Sequence, residues 1–151
     1  MTADPPVGYD GPSLASLAAT VDSEGAETLT VTAPFTGDSI GEVPACTAGD
    51  MTRAIDRART AQSSWAARSV ADRVAIIDRF QSLVRERQAD LLDLVQVESG
   101  KARYDAMEEV LDVELTAGHY TDEAPGYLAP EKRDGLVPIL TQVREHRDPY
   151  G

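Results

Sequence analysis

The sequence predicts a mainly α-helical chain with an N-terminal β-hairpin, four helices and a C-terminal strand, and three observations carry that prediction. Two Ser/Thr-x-x-acid patterns, Thr47-Ala48-Gly49-Asp50 and Ser69-Val70-Ala71-Asp72, suit the free N–H groups of a helix start. Behind each of them, apolar residues recur every three or four positions. Ahead of both, apolar residues alternate with threonines up to a glycine-containing turn, as in a half-buried strand pair.

Taken in order, residues 1 to 27 are rich in Pro, Gly, Ala, Ser and Asp. The short apolar stretch from Leu14 to Val21 offers little to anchor a helix, so this part reads as a mobile extension. From Thr28 the pattern changes. Leu29, Val31 and Ala33 alternate with threonines, Pro34-Phe35-Thr36-Gly37-Asp38 breaks the run, and Ile40-Gly41-Glu42-Val43 resumes it, which predicts a hairpin. Met51, Ala54, Ile55, Ala58, Ala61 and Trp65 then share one face of a helix over about 50 to 67. Val70, Val74, Ile77, Phe80, Leu83 and Val84 do the same for a second helix ending near 86. A third fits 88 to 99, with Gly100 as the left-handed residue that closes it. A fourth carries Tyr104, Met107, Val110, Leu111, Leu115 and Tyr120 on its apolar stripe and stops before Pro125-Gly126. Branched residues between Leu136 and Val143 predict the closing strand, followed by a charged tail.

Composition narrows the function classes. The chain has 151 residues, 42 % of them hydrophobic, which is enough for one ordinary core or for part of a larger one. A formal charge of −12 argues against binding nucleic acid or an anionic membrane, because phosphates and acidic lipids would be repelled. No apolar run reaches the 18 or so residues of a membrane helix, and the start of the chain has no signal-peptide pattern, so the expected address is the cytoplasm. A single cysteine, Cys46, cannot form an internal disulfide, in keeping with a reducing compartment.

No complete active site can be assembled from these residues. Gly100-Lys101 lacks the earlier glycine and the following Ser or Thr of a phosphate loop: Val95 and Ala102 stand at those positions. Cys46 lies just before a predicted helix, where a thiolate would be favoured, but the first histidine is His119 and no base is close in sequence. A small packed side chain is the plainer reading of Cys46. His119 and His146 are too far apart in sequence to form a metal pair on one helix face. Glu108, Glu109, Asp112 and Glu114 form an acidic cluster whose plain reading is a solvated helix face. Trp65, on an apolar face, reads as core.

Four segments in order nevertheless resemble the N-terminal part of NAD(P)-dependent aldehyde dehydrogenases. APFTGDSIGEVPACTAGDM is similar to that family's Asn-Pro-x-Thr-Gly-x-x-Ile-Gly-x-Val-Pro hairpin, with Ala33 in place of Asn. AIDRARTAQSSWAARSVADR resembles its tryptophan helix and the arginine-bearing helix that follows, and IIDRFQSLVRERQADLLDLVQVESGKA its Glu-Thr-Gly-Lys segment. REHRDPYG looks like the junction into the cofactor domain, and GKARYDAMEEV resembles the succinate-semialdehyde dehydrogenase branch.

This resemblance implies an α/β, Rossmann-type fold for the family, with residues 28 to 151 as an incomplete N-terminal portion ending before the cofactor-binding core. It implies a cysteine nucleophile forming a thiohemiacetal, hydride transfer to NAD or NADP, and a glutamate-activated water. None of these residues matches a position of this chain, so no catalytic, cofactor-binding or metal residue is assigned. Some members hold a structural monovalent cation near positions that align loosely with Thr32 and Glu109. The expectations are therefore an enzyme segment inactive on its own, homo-oligomeric when complete, whose helices expose apolar faces. The alternative is a free-standing acidic helical module that binds a protein partner.

Overall fold

In a computed structural model, residues 14–25, 27–136 and 141–148 are described. The elements in chain order are α1 (Leu14–Ala18), β1 (Thr28–Thr32), β2 (Ser39–Pro44), α2 (Ala48–Ala66), α3 (Val70–Glu86), α4 (Gln88–Ser99), α5 (Arg103–Tyr127), β3 (Glu131–Arg133) and β4 (Val143–Glu145).

The hairpin forms as the alternation predicts. β1 and β2 pair antiparallel from Thr28 opposite Pro44 to Val31 opposite Gly41, with a register shift before Thr32. Its turn is closed by Ala33 N–H donating to the Asp38 carbonyl at 2.9 Å and by Gly37 N–H donating to the Ala33 carbonyl at 2.8 Å. Ala33 is fully buried.

Both capping patterns work as read. The Thr47 hydroxyl accepts from Asp50 N–H at 3.2 Å while the Asp50 carboxylate accepts from Thr47 N–H at 2.7 Å, a reciprocal capping box. Ser69 caps α3 by accepting from Asp72 N–H at 3.1 Å. Gly100 ends α4 in the left-handed region, φ +73°, as predicted.

The core is small and sits where α3, α4 and α5 meet: Val84, Leu92, Ala106 and Val110 are buried, with Leu91 and Val95 packed against them. α3 and α5 come close at Gly118. A Cβ there would lie 2.6 Å from Gln81 Nε2, which donates to the Glu114 carbonyl at 3.1 Å. Arg85 forks onto Glu114 from the same helix pair, through Nε at 2.9 Å and Nη2 at 2.6 Å.

Three expectations are corrected. The stripe that α5 buries is Ala106, Val110 and Ala117, whereas Tyr104 is 75 % and Leu115 61 % exposed. Small residues let the α5 backbone approach its neighbours, and the larger ones face away. α5 also continues through Pro125 to Tyr127. So near the end a proline removes only one ladder bond, and Leu128 N–H still reaches the Ala124 carbonyl at 3.0 Å. The expected closing strand is met at its end by β4, which begins at Val143 and pairs antiparallel with β3, Glu131 opposite Glu145 and Arg133 opposite Val143. Charge complementarity holds this pair rather than branched side chains: Arg133 meets Glu145 at 2.6 Å and Arg147 meets Glu131 at 2.5 Å. Residues 137–140 and 149–151, the rest of the predicted strand and the end of the junction segment, lie outside the described residues. Finally, the acidic cluster on α5 is not simply solvated, because Glu109 pairs with Lys101 and Glu114 with Arg85.

Of the extension expected over residues 1 to 27, residues 1–13 and 26 lie outside the described part. Within the rest, α1 lies against β2, and Ser23, Glu24 and Gly25 run beside the start of α2.

Candidate functional site

The most strongly perturbed carboxylate among the described residues is Asp50, only 3 % exposed. One oxygen accepts from Thr47 N–H and from the Thr47 hydroxyl, each at 2.7 Å, and the other accepts from Glu24 N–H at 3.1 Å. Arg53 closes the group from one helical turn further on and also reaches Glu24 at 3.2 Å. The backbone N–H groups of Thr47 and Glu24, then the Thr47 hydroxyl, hold the carboxyl well below the usual carboxylate range. Burial opposes this, and Arg53 adds to it. Every acceptor lobe is engaged within the chain, so Asp50 is a fastening and not an acid or base. Half of it is legible as the capping box; the half supplied by Ser23 and Glu24 is missed by reading residues 1 to 27 as an extension.

The cysteine and histidines do not come together. Cys46 is exposed in the link between β2 and α2, which corrects its reading as a packed side chain. His119 is on α5 beside Tyr120 and Tyr127, with the Tyr127 hydroxyl 3.4 Å from its Nε2, and His146 lies past β4. Among the described residues no group of three or more His, Cys, Asp or Glu is placed to hold a metal ion. Glu109, near one of the two loosely aligned cation positions, is instead engaged by Lys101. Lys101 is thus an ion-pair partner following a helix stop, and the phosphate-loop reading of Gly100-Lys101 fails on geometry.

A small groove lies between the end of α2, the first turns of α3 and the end of α5. It measures about 150 Å³ and is walled by Trp65, Val70, Val74, Ile77 and Leu128, with Tyr120 and Arg73 also lining it. Trp65 is therefore half-buried against a groove and does not sit in the closed core. Arg73 Nε is shielded from solvent and has no acceptor. The three- and four-residue spacing makes the part of the wall from Trp65, Val70, Val74 and Ile77 visible in the sequence, but nothing in it singles out Leu128 or Arg73.

A dinucleotide has no seat among the described residues. The glycines with positive φ, Gly37, Gly41 and Gly100, lie in or beside the hairpin and at a helix end, and none opens a helix after a strand, where a pyrophosphate would be cradled. The groove is also well below the size of a typical cofactor pocket. The chain's own residues thus do not fit the cofactor that the resemblance implies.

Comparison with known proteins explains why. The sequence model of the aldehyde dehydrogenase family matches residues 20–151. A Mycolicibacterium smegmatis protein with the provisional name succinate-semialdehyde dehydrogenase (NADP+) is 38 % identical over 146 residues, covering 97 % of this chain and 28 % of its own length. A similarly named Mycobacterium tuberculosis protein is 40 % identical over 138 residues, 91 % of this chain and 27 % of its own. Among solved structures, an aldehyde dehydrogenase from Brucella melitensis biovar abortus superposes with a TM-score of 0.72 at 26 % identity, covering 78 % of this chain and 24 % of that one. Aldehyde dehydrogenase 21 from Physcomitrella patens, in complex with the reaction product succinate, gives 0.69 at 27 % identity over 79 % and 24 %. The chain thus spans about a quarter of the length of the relatives it matches. With the family match running through the hairpin, the capped helices and the Gly100 helix stop, this chain belongs to the aldehyde dehydrogenase family.

Proposed function

We propose that the chain serves as the N-terminal segment of an NAD(P)-dependent aldehyde dehydrogenase that oxidises a small carboxylated aldehyde, succinate semialdehyde being the leading candidate, to the acid. The collinear match over residues 20–151 carries this reading, and the succinate-semialdehyde dehydrogenase names of the relatives support the substrate and favour NADP. The segment's part is structural. α2, α3 and α5 present apolar side chains outward, with Met51 56 %, Ile55 49 % and Phe80 46 % exposed, a surface suited to packing on the remainder of such an enzyme. By itself the chain binds no nicotinamide cofactor and turns nothing over. The complete enzyme is cytoplasmic and homo-oligomeric on this reading, and no helix among the described residues is long and apolar enough to cross a membrane.

A chimera tests it. Replacing the matching N-terminal quarter of the Mycolicibacterium smegmatis relative with this chain should give NADP-dependent oxidation of succinate semialdehyde, while the 151-residue chain alone shows none. A folded chimera without aldehyde oxidation, or turnover by the isolated chain that Cys46→Ala abolishes, overturns the proposal.

A further inference from the structure

We infer that residues 14–25 form an ionic strap, fastened along the first turns of α2 by two carboxylates in register with two arginines, and that rising salt releases it while the core of α3, α4 and α5 stays folded.

Three observations carry this. The first is register. An Asp22 carboxylate oxygen lies 2.9 Å from Arg57 Nη1 and a Glu24 carboxylate oxygen 3.2 Å from Arg53 Nη1, so the strap runs against the direction of α2. Four residues of helix rise about 6 Å, and two residues of non-helical backbone span up to about 7 Å. The two charge spacings therefore match. The second is charge distribution. No Lys or Arg precedes Arg53 in the chain, so the carboxylates of the strap meet their first cationic side chains on α2. The third is anchorage. α1 has five residues, too few to hold as a helix by itself, and the strap's Leu17 and Val21 remain 37 % and 42 % exposed. With so little apolar burial, polar contacts decide whether the strap stays down. Both ion pairs are exposed to solvent, where salt screens them. The rest of the fastening is the Asp50 carboxylate, which accepts from Glu24 N–H at 3.1 Å and from the Ser23 hydroxyl at 3.5 Å. Release breaks both of these bonds, uncovers Asp50 and lifts α1 from β2. The Glu24 amide thus reports whether the strap is up or down.

Hydrogen–deuterium exchange of the dilute 151-residue chain at pH 7 tests this, read by mass spectrometry on fragments covering residues 19–25 and 88–99. Each rate is referred to a synthetic peptide of the same residues in the same salt. Between about 0.02 and 0.5 M NaCl the Debye length falls from about 20 Å to about 4 Å. Exchange in 19–25 should quicken about threefold or more over that range, while 88–99 keeps its rate. At low salt Arg57→Gln should quicken 19–25 about two- to fivefold and blunt the salt response. The charge swap Asp22→Arg/Arg57→Asp should bring the low-salt rate back toward the parent's. The salt response of the parent stands as a test even where a variant fails to fold. Equal strap rates in both salts, strap and core quickening together, or a charge swap that exchanges no more slowly than Arg57→Gln overturns the inference.

Discussion

Gly100 closes α4 directly against the hairpin turn: a Cβ at residue 100 would lie 3.1 Å from Pro34 Cγ, and the residue holds φ +73°. Two constraints therefore fall on one position, a left-handed backbone and a neighbour of fixed shape. Gly100→Val is expected to cost about 2 kcal/mol or more, through the steric penalty of a branched side chain at positive φ and the added crowding. Urea unfolding midpoints of parent and variant measure it, and an unchanged midpoint would remove the helix-stop assignment.

Acid should loosen the start of α2. The folded Asp50 carboxyl titrates well below its unfolded value of about 3.9, so the unfolded chain binds more protons in that range. Its contribution is complete above the unfolded pKa and is lost as pH falls below about 4 toward the folded one. Urea midpoints between about pH 2 and 7 should show Asp50→Asn less stable than the parent at neutral pH. The gap should narrow as the solution is acidified. A gap that is constant with pH would mean that the amide loses only shape and not charge.

Core size changes should hurt in both directions. Leu92 is 3 % exposed and Ala106 fully buried, in the same small cluster. Leu92→Ala is expected to cost about 2–4 kcal/mol by leaving a cavity. Ala106→Leu is expected to cost about 1–3 kcal/mol by forcing α5 away from its neighbours. Chemical denaturation resolves both; tolerance of Ala106→Leu would show that the helices separate freely.

Gly118 and Gln81 should be energetically coupled. Ala at 118 gains about 1 kcal/mol of helix propensity but pushes the Gln81 amide off the Glu114 carbonyl, a hydrogen bond of about 1 kcal/mol. Alone, Gly118→Ala should be near neutral. In a Gln81→Ala background it should stabilise by up to about 1 kcal/mol, a non-additivity that a double-mutant cycle reads.

The outward apolar side chains should make the isolated chain adhesive. Gel filtration is expected to show association that rises with concentration, together with strong binding of a hydrophobic dye. Both should fall in the Met51→Gln/Ile55→Gln/Phe80→Ser triple variant, whose side chains are exposed and whose changes should each alter stability by no more than about 0.5 kcal/mol. A monomeric parent with no dye signal would count against the proposed packing surface.

The helix starts and stops were the most legible part of this fold because they are local. Thr47, Ser69 and Gly100 act within four residues of themselves, and the hairpin is set by alternation and one turn. What lay beyond reading depended on partners distant in sequence. Nothing near Ala106 or Ala117 announces that small residues face the core while Tyr104 and Leu115 do not, since helical period fixes which residues share a face but not which face is covered. Cys46 was placed correctly in a strand-to-helix link, yet its exposure depends on what else packs there. Arg73 stands among apolar residues most of which were read, but an unmet donor is visible only once the surrounding chain has been placed.

α2 owes its position to its two ends. At one end Asp50 grips Thr47 and the backbone of Glu24, and at the other Trp65 borders the groove walled by α3 and α5, while Met51 and Ile55 between them face solvent. Such a rod behaves like a bridge with separate abutments. Acid or a change near residue 24 would free one abutment, a change at Trp65 the other, and the helix would then swing out in two distinguishable stages.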